Sequence, residues 1–219
     1  MVPGPDQIIA CPKCNGLAKY MTLMSGNTFG ARVWTDGKQF APMLPHPPAV
    51  VQCHHCGECY WLDKAKEVGT VEPWSANDQS GDPAWTAAKE VQEPTETEYY
   101  EALEKGMATD RDNERDLRIF AFWRRNDAFR FDSADQADGA TTVSPACRRN
   151  LDALRRLLNE FYENDMVMIA EIHRELGEFD AALKVLATIS SDGYRDVVRQ
   201  FRVLCESRDQ SVRMLNFDA

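Results

Sequence analysis

Residues 53–61 read CHHCGECYW, placing three cysteines and two histidines within seven positions, and all five side chains can bind a transition metal. A second pair lies upstream, Cys11-Pro12-Lys13-Cys14, so the chain carries CxxC, 38 residues, then CxxC. Two such pairs, each in a turn, bring four thiolates to a tetrahedral centre, the closed arrangement that structural zinc prefers. Each pair is followed by residues suited to a left-handed turn, Asn15-Gly16 and Gly57. That turn aims backbone N–H groups at the sulfurs and eases their negative charge. The expected metal ligands are Cys11, Cys14, Cys53 and Cys56. His54 and His55 fall at the x positions, whose side chains point outward; His55 is the first substitute should a histidine replace a cysteine. Cys59 is a surplus thiol. It reads as a small apolar residue at the start of a strand, or else as a spare ligand or redox-sensing thiol that swaps with Cys56 on oxidation.

Four cysteines fill a tetrahedral shell, whereas a catalytic zinc keeps one position for water. Zinc is the expected metal and its role structural. Iron in the same ligand set would carry electrons, but the long spacer and the appended helices make it the lesser choice. The chain has no GxGxxG, P-loop, HExxH or GxSxG pattern, so the reading is non-enzymatic.

The elements that must position these cysteines are short strands. LAKYMTLM (17–24), ARVWTDGKQF (31–40), AVVQ (49–52) and CYWL (59–62) have β character, and Asp36-Gly37 is a hairpin turn. Four prolines within residues 42–48 require an extended loop. Asp63 is expected to cap a short helix, KAKEV, ended by Gly69. Over residues 8–62 the chain resembles zinc ribbons, whose paired CPxC and CxxCG knuckles sit at the ends of β-hairpins. The segment between the knuckles is longer than a minimal ribbon needs. Its aromatic residues are expected to cover a thin core, or to form a recognition surface with Asn27, Arg32, Trp34, Asp36 and Lys38. Tyr20, Phe29, Trp34 and Phe40 near Lys19, Arg32 and Lys38 would then stack on single-stranded nucleic acid.

Of the 219 residues 43% are apolar, enough for a packed core, and the net charge is −10. The excess is local: residues 67–116 hold fourteen acidic and four basic residues. That field disfavours general binding to a phosphate backbone. No run of eighteen apolar residues occurs, so no membrane span is expected, and MVPGPDQIIA lacks the basic start and apolar stretch of an export signal. Seven cysteines, four of them in CxxC pairs, then imply metal binding in a reducing cytoplasm.

Residues 70–94 read as an acidic, proline-containing connector, with one helical turn near Trp85–Val91; Trp74 and Trp85 imply that it lies against a domain. From Thr95 the pattern is helical. Thr95 and Ser144-Pro145 are capping signals, and helices are expected over 112–130, after Ser144, after an Asn164 cap, after Gly177 and through YRDVVRQFRVLCES. FWRRND (122–127) reads as a helix face whose arginines pair with the acidic stretch upstream. His173 reads as a structural histidine, lying on a different side of its helix from Glu171 and Glu175.

MVMIAEIHRELGEFDAALKVLATI (166–189) resembles one tetratricopeptide repeat unit. Ala170 fits the small position of the first helix, Gly177 and Phe179 the turn, and Ala182 and Leu186 the second helix. The whole resembles bacterial proteins of unassigned biochemistry that join an N-terminal CPxC ribbon to tetratricopeptide-like helices. The expected fold class is α+β: a zinc-ribbon domain over 1–69, the connector over 70–94 and an α-helical domain over 95–219. The resemblance carries no activity over; the expected function is protein–protein interaction or scaffolding with an unidentified protein partner, the zinc stabilising the fold. The alternatives are a nucleic-acid-binding ribbon and a redox-responsive zinc-thiolate protein.

Overall fold

The computed structural model describes residues 1–72, 82–130 and 143–217. The fold is α+β, and the chain forms two compact units. One comprises Met1–Ala31 and Phe40–Met107, the other Arg32–Gln39 and Ala108–Ala219. The first unit thus takes in the described part of residues 70–94 and the first helix beyond Thr95. The second takes eight residues from between the two cysteine pairs.

The first unit is built on a four-stranded sheet. Its order is β7 (Lys66–Val71), β1 (Val2–Ala10), β2 (Leu17–Ser25) and β8 (Lys89–Glu90), with β1 antiparallel to both neighbours and β8 parallel to β2. Strand β1 contains Pro3 and Pro5, which cannot donate to a ladder. Its pairing with β7 begins only at Asp6, and its register with β2 shifts between Pro3 and Asp6. The prolines are therefore confined to a stretch with one neighbour. The expected helix KAKEV is corrected: Leu62–Lys64 form one 3₁₀ turn, and Lys66–Val71 pair with β1 as an edge strand. Lys and Ala favour a helix locally, but the tertiary ladder wins, and the charged Lys66 and Glu67 protect the edge. A separate hairpin, β5 (Val50–Gln52) with β6 (Cys59–Trp61), carries the second cysteine pair. Ile9, Cys11, Ala18, Val51, Cys53 and Tyr60 form the core between them.

Helix α1 (Pro83–Thr86) lays Trp85 on β7: a Cβ on Gly69 would lie 2.3 Å from the indole ring, so only glycine admits that contact. Trp74 lies outside the described residues. Helix α2 (Glu96–Glu104) starts at Thr95 with a complete capping box to Glu98 and buries Tyr99 and Ala102.

In the second unit, α3 (Arg111–Asn126), α4 (Pro145–Leu157), α5 (Glu163–Glu175), α6 (Phe179–Leu186) and α7 (Arg195–Glu206) surround two apolar clusters. Phe122, Leu151, Leu154, Ile169 and Ile172 centre one; Ala170, Ala182, Leu186 and Phe201 centre the other. Asp110 caps α3, which ends at Asn126 in a 3₁₀ turn over Asp127–Phe129. The Ser144 hydroxyl caps α4 from 3.1 Å, accepting the Cys147 N–H. Helix α5 begins one residue before Asn164, with Tyr162 at its cap and no side-chain bond there. The tip of β3 (Arg32–Val33) and β4 (Gln39–Phe40) is joined by the C-terminal residues: Thr35 N–H donates to Arg213 O at 2.8 Å and Leu215 N–H to Val33 O at 2.8 Å. No helix among the described residues is long and apolar enough to cross a membrane.

Candidate metal centre

The first CxxC pair joins β1 to β2 and the second joins β5 to β6. The two knuckles have the same backbone wiring. Asn15 N–H donates to Cys11 O and Gly57 N–H to Cys53 O, both at 2.9 Å. Cys11 N–H donates to Gly16 O at 2.9 Å and Cys53 N–H to Glu58 O at 3.0 Å. Closing these turns requires positive φ, 59° at Asn15 and 72° at Gly57, a region that asparagine and glycine tolerate. In each turn an N–H faces a sulfur: Gly16 to Cys14 Sγ and His55 to Cys53 Sγ, both at 3.4 Å.

The four sulfurs of Cys11, Cys14, Cys53 and Cys56 lie within 4.8 Å of one another and could hold a metal ion. Across the two knuckles, Cys11 and Cys56 are 3.9 Å apart and Cys14 and Cys53 3.5 Å. Four sulfurs at about 2.3 Å from one ion stand about 3.8 Å from each other in a tetrahedron, and these two distances are consistent with zinc among the sulfurs. Cys11 and Cys53 are buried; Cys14 and Cys56 are exposed.

The sulfurs share one electrostatic problem. The Gly16 N–H draws the Cys14 thiol down, but burial and the other three sulfurs outweigh it and push it up to about 12. Burial pushes Cys53 up, yet the N–H groups of Cys56 and His55 and the neighbouring thiols bring it down to about 7. Cys53 ionises easily beside the reluctant Cys14, a conflict that a cation among the sulfurs would resolve. Lys13 adds positive charge at the rim, 2.7 Å from Glu58.

The histidines are not ligands in this arrangement. His54 Nε2 is 2.7 Å from Glu90 O. The His55 ring covers Gly16, where a Cβ would come within 2.3 Å of it, so a side chain at position 16 would push the two knuckles' neighbours apart. Cys59 is half-buried beside Glu98; burial first and then that carboxylate push its thiol up to about 11.

The residues expected to form a recognition surface are dispersed. Asn27 is exposed in the first unit, its Oδ1 accepting the Phe29 N–H at 2.9 Å. Arg32, Trp34, Asp36 and Lys38 belong to the second unit, where Arg32 is exposed but Trp34 and Asp36 are buried. Asp36 is fully enclosed and receives the Arg130 fork, with Nη1 on Oδ1 at 2.9 Å and Nη2 on Oδ2. Asn126 Nδ2 reaches Asp36 Oδ2 at 3.0 Å, and Trp123 Nε1 donates to Asp36 O at 2.8 Å. The Arg130 guanidinium stands 5.4 Å over the Trp34 ring. Lys38 Nζ sits 2.8 Å from both Asp127 oxygens. Burial raises Asp127, but Lys38 and Arg130 outweigh it and hold it below the usual carboxylate range. The tip of the insertion is therefore an internal part of the helical unit, and its indole ring offers no stacking platform.

The arginines of FWRRND correct another expectation. Arg124 pairs with Asp127 and Arg125 with Glu175, at 3.3 Å and 3.0 Å, not with the acidic stretch upstream. Arg174, also buried, bonds Glu171 at 2.6 Å and Thr35 Oγ1 at 3.3 Å. Glu171 and Glu175 sit one turn apart on α5, and that spacing is the sequence signal for the cluster. Its other half, Thr35-Asp36 and Arg130, is too distant in sequence to be found that way. His173 turns elsewhere, to Glu178 at 2.7 Å and to Arg155.

No model of a protein family, no curated protein and no solved structure matches this chain.

Proposed function

We propose that this chain is a non-enzymatic protein–protein interaction or scaffold protein whose β unit is held by a structural zinc ion. The closed sulfur cage carries the reading: four thiolates at tetrahedral spacing, supported by backbone N–H groups, complete the shell of the ion. Zinc bound by Cys11, Cys14, Cys53 and Cys56 would supply a cross-link between two sequence-distant turns, a large gain for a module with so small a core. Iron is the less favoured occupant.

The helical unit would bear the partner. Ala170, Phe179, Ala182 and Leu186, the positions of the tetratricopeptide-like match, share one buried cluster. That supports a helix-pair packing of the repeat kind, as in the bacterial proteins the sequence resembles. The reducing cytoplasm suits exposed thiol ligands. The rival readings have less support. A nucleic-acid-binding ribbon loses Trp34 and Lys38 from its surface, and a redox role through Cys59 contends with a thiol held protonated at neutral pH.

The test uses the full chain. Elemental analysis is expected to give one zinc per chain, and cobalt substitution the intense charge-transfer absorption of a tetrathiolate. Affinity capture from native extract should return a reproducible protein partner. Metal-free folded protein would sink the zinc assignment; enrichment of RNA or DNA that declines steeply with salt would replace the scaffold reading.

A further inference from the structure

The turn between α4 and α5 holds two aromatic side chains in solvent, Phe161 at 94% exposure and Tyr162 at 65%. The turn is not a frayed end. Asn159 N–H donates to the buried Asp165 at 2.8 Å, and Asp165 in turn binds Arg115 at 2.6 Å. Phe161 N–H donates to Asn159 Oδ1 and Tyr162 N–H to Asn159 O, both at 3.0 Å. On the far side, Glu163 accepts the N–H groups of Ser190 and Ser191 at 3.2 and 3.0 Å. A phenyl ring is thus presented outward by a backbone pinned at both ends, at a cost in water that a partner would remove.

Beside this knob lies a hole. An open groove of about 380 Å³ is lined by Met166, Ile169 and Val185, with Glu160, Lys184 and Thr188 around them. Glu160 precedes Phe161 directly, so knob and groove share one patch of the second unit. Neither Glu160 nor Lys184 has an ion-pair partner among the described residues. The patch therefore carries an apolar protrusion next to an apolar recess, and an acid next to a base. A surface that holds both halves of each complementary pair is what a two-fold interface demands, since every contact there occurs twice.

We propose that this patch joins two copies of the chain, Phe161 of each entering the Met166/Ile169/Val185 groove of the other, with Glu160 meeting Lys184 across the two-fold axis. The inference goes beyond the zinc-dependent scaffold role and stands without it. Large aromatics bury roughly 150–250 Å² each. Two phenylalanines and two tyrosines come to roughly 600–1,000 Å², and the grooves they cover bring the contact toward the lower bound of specific interfaces.

Sedimentation equilibrium of the full chain between about 1 and 200 μM tests this. A monomer–dimer equilibrium is expected. Phe161→Ser should abolish it with far-UV circular dichroism unchanged. Lys184→Glu should weaken it at least about tenfold, and Glu160→Lys combined with Lys184→Glu should restore it. A monomer at every concentration overturns the proposal. So does a dimer that survives Phe161→Ser, or a charge reversal that the second substitution fails to rescue.

Discussion

A cysteine and a carboxylate set the chemistry of the two units at the level of single side chains. Cys53 bridges the knuckles through its 3.5 Å approach to Cys14. If the cluster holds the proposed zinc, Cys53→Ser removes one of its four sulfurs and is expected to abolish stoichiometric metal in elemental analysis, along with most of a binding free energy of about 10 kcal/mol. Cys59→Ser, outside the cage, should leave metal content unchanged. In the other unit Asp36 is fully enclosed by Arg130 and Asn126. Asp36→Ala takes from the buried Arg130 guanidinium its two-toothed partner and leaves it Asp127 alone, 2.9 Å from Nε, and urea denaturation should register a loss of about 3 kcal/mol. The four-cysteine cluster was legible in the sequence because the spacing within each pair is local and its chemistry specific. Asp36 read as a turn residue on a surface because its partners lie some ninety positions away, where no pattern links them.

Among the elements, the helix starts at Thr95 and Ser144 were readable, while strands β1 and β7 were not. Thr95 and Ser144 both cap as expected because a cap is decided by bonds within three residues. Ser144→Ala should therefore cost about 1 kcal/mol, seen as a lowered urea midpoint at unchanged slope. Strand β1 escaped the reading since Pro3, Gly4 and Pro5 break any alternation; the bulge that accommodates them is a property of the partner strands. Strand β7 escaped because Lys66 and Glu67 have helical preferences that only pairing with Ile9 and Ala10 overrides. The α+β class itself followed from the change of period near Thr95, although the compact units divide at Met107.

At the scale of a whole unit, two carboxylates of the helical unit, the buried Glu175 and the half-buried Asp127, work in opposite directions with pH. Burial, reinforced by Glu171, pushes Glu175 well above the usual carboxylate range despite Arg125. Its contribution is complete below about pH 4.3, the value of an unfolded glutamate, and is lost as pH rises through the elevated folded pKa. Asp127, held low by Lys38 and Arg130, contributes above about pH 3.9 and loses that contribution as pH falls through its depressed pKa. Glu175→Gln removes only the first. Between about pH 5 and pH 8 the melting temperature of the wild type should fall more than that of Glu175→Gln; equal slopes would mean that Glu175 ionises normally in the fold.

Because eight residues encoded between the two cysteine pairs are built into the helical unit, neither unit corresponds to an uninterrupted length of gene. A truncation that begins at Thr95 would translate every helix from α2 onward and still lack the loop that neutralises Arg130, while one that stops at Gly69 would leave that loop without its socket. Exchange of either half by recombination at a single joint would deliver an incomplete body, so the two must be inherited and engineered together.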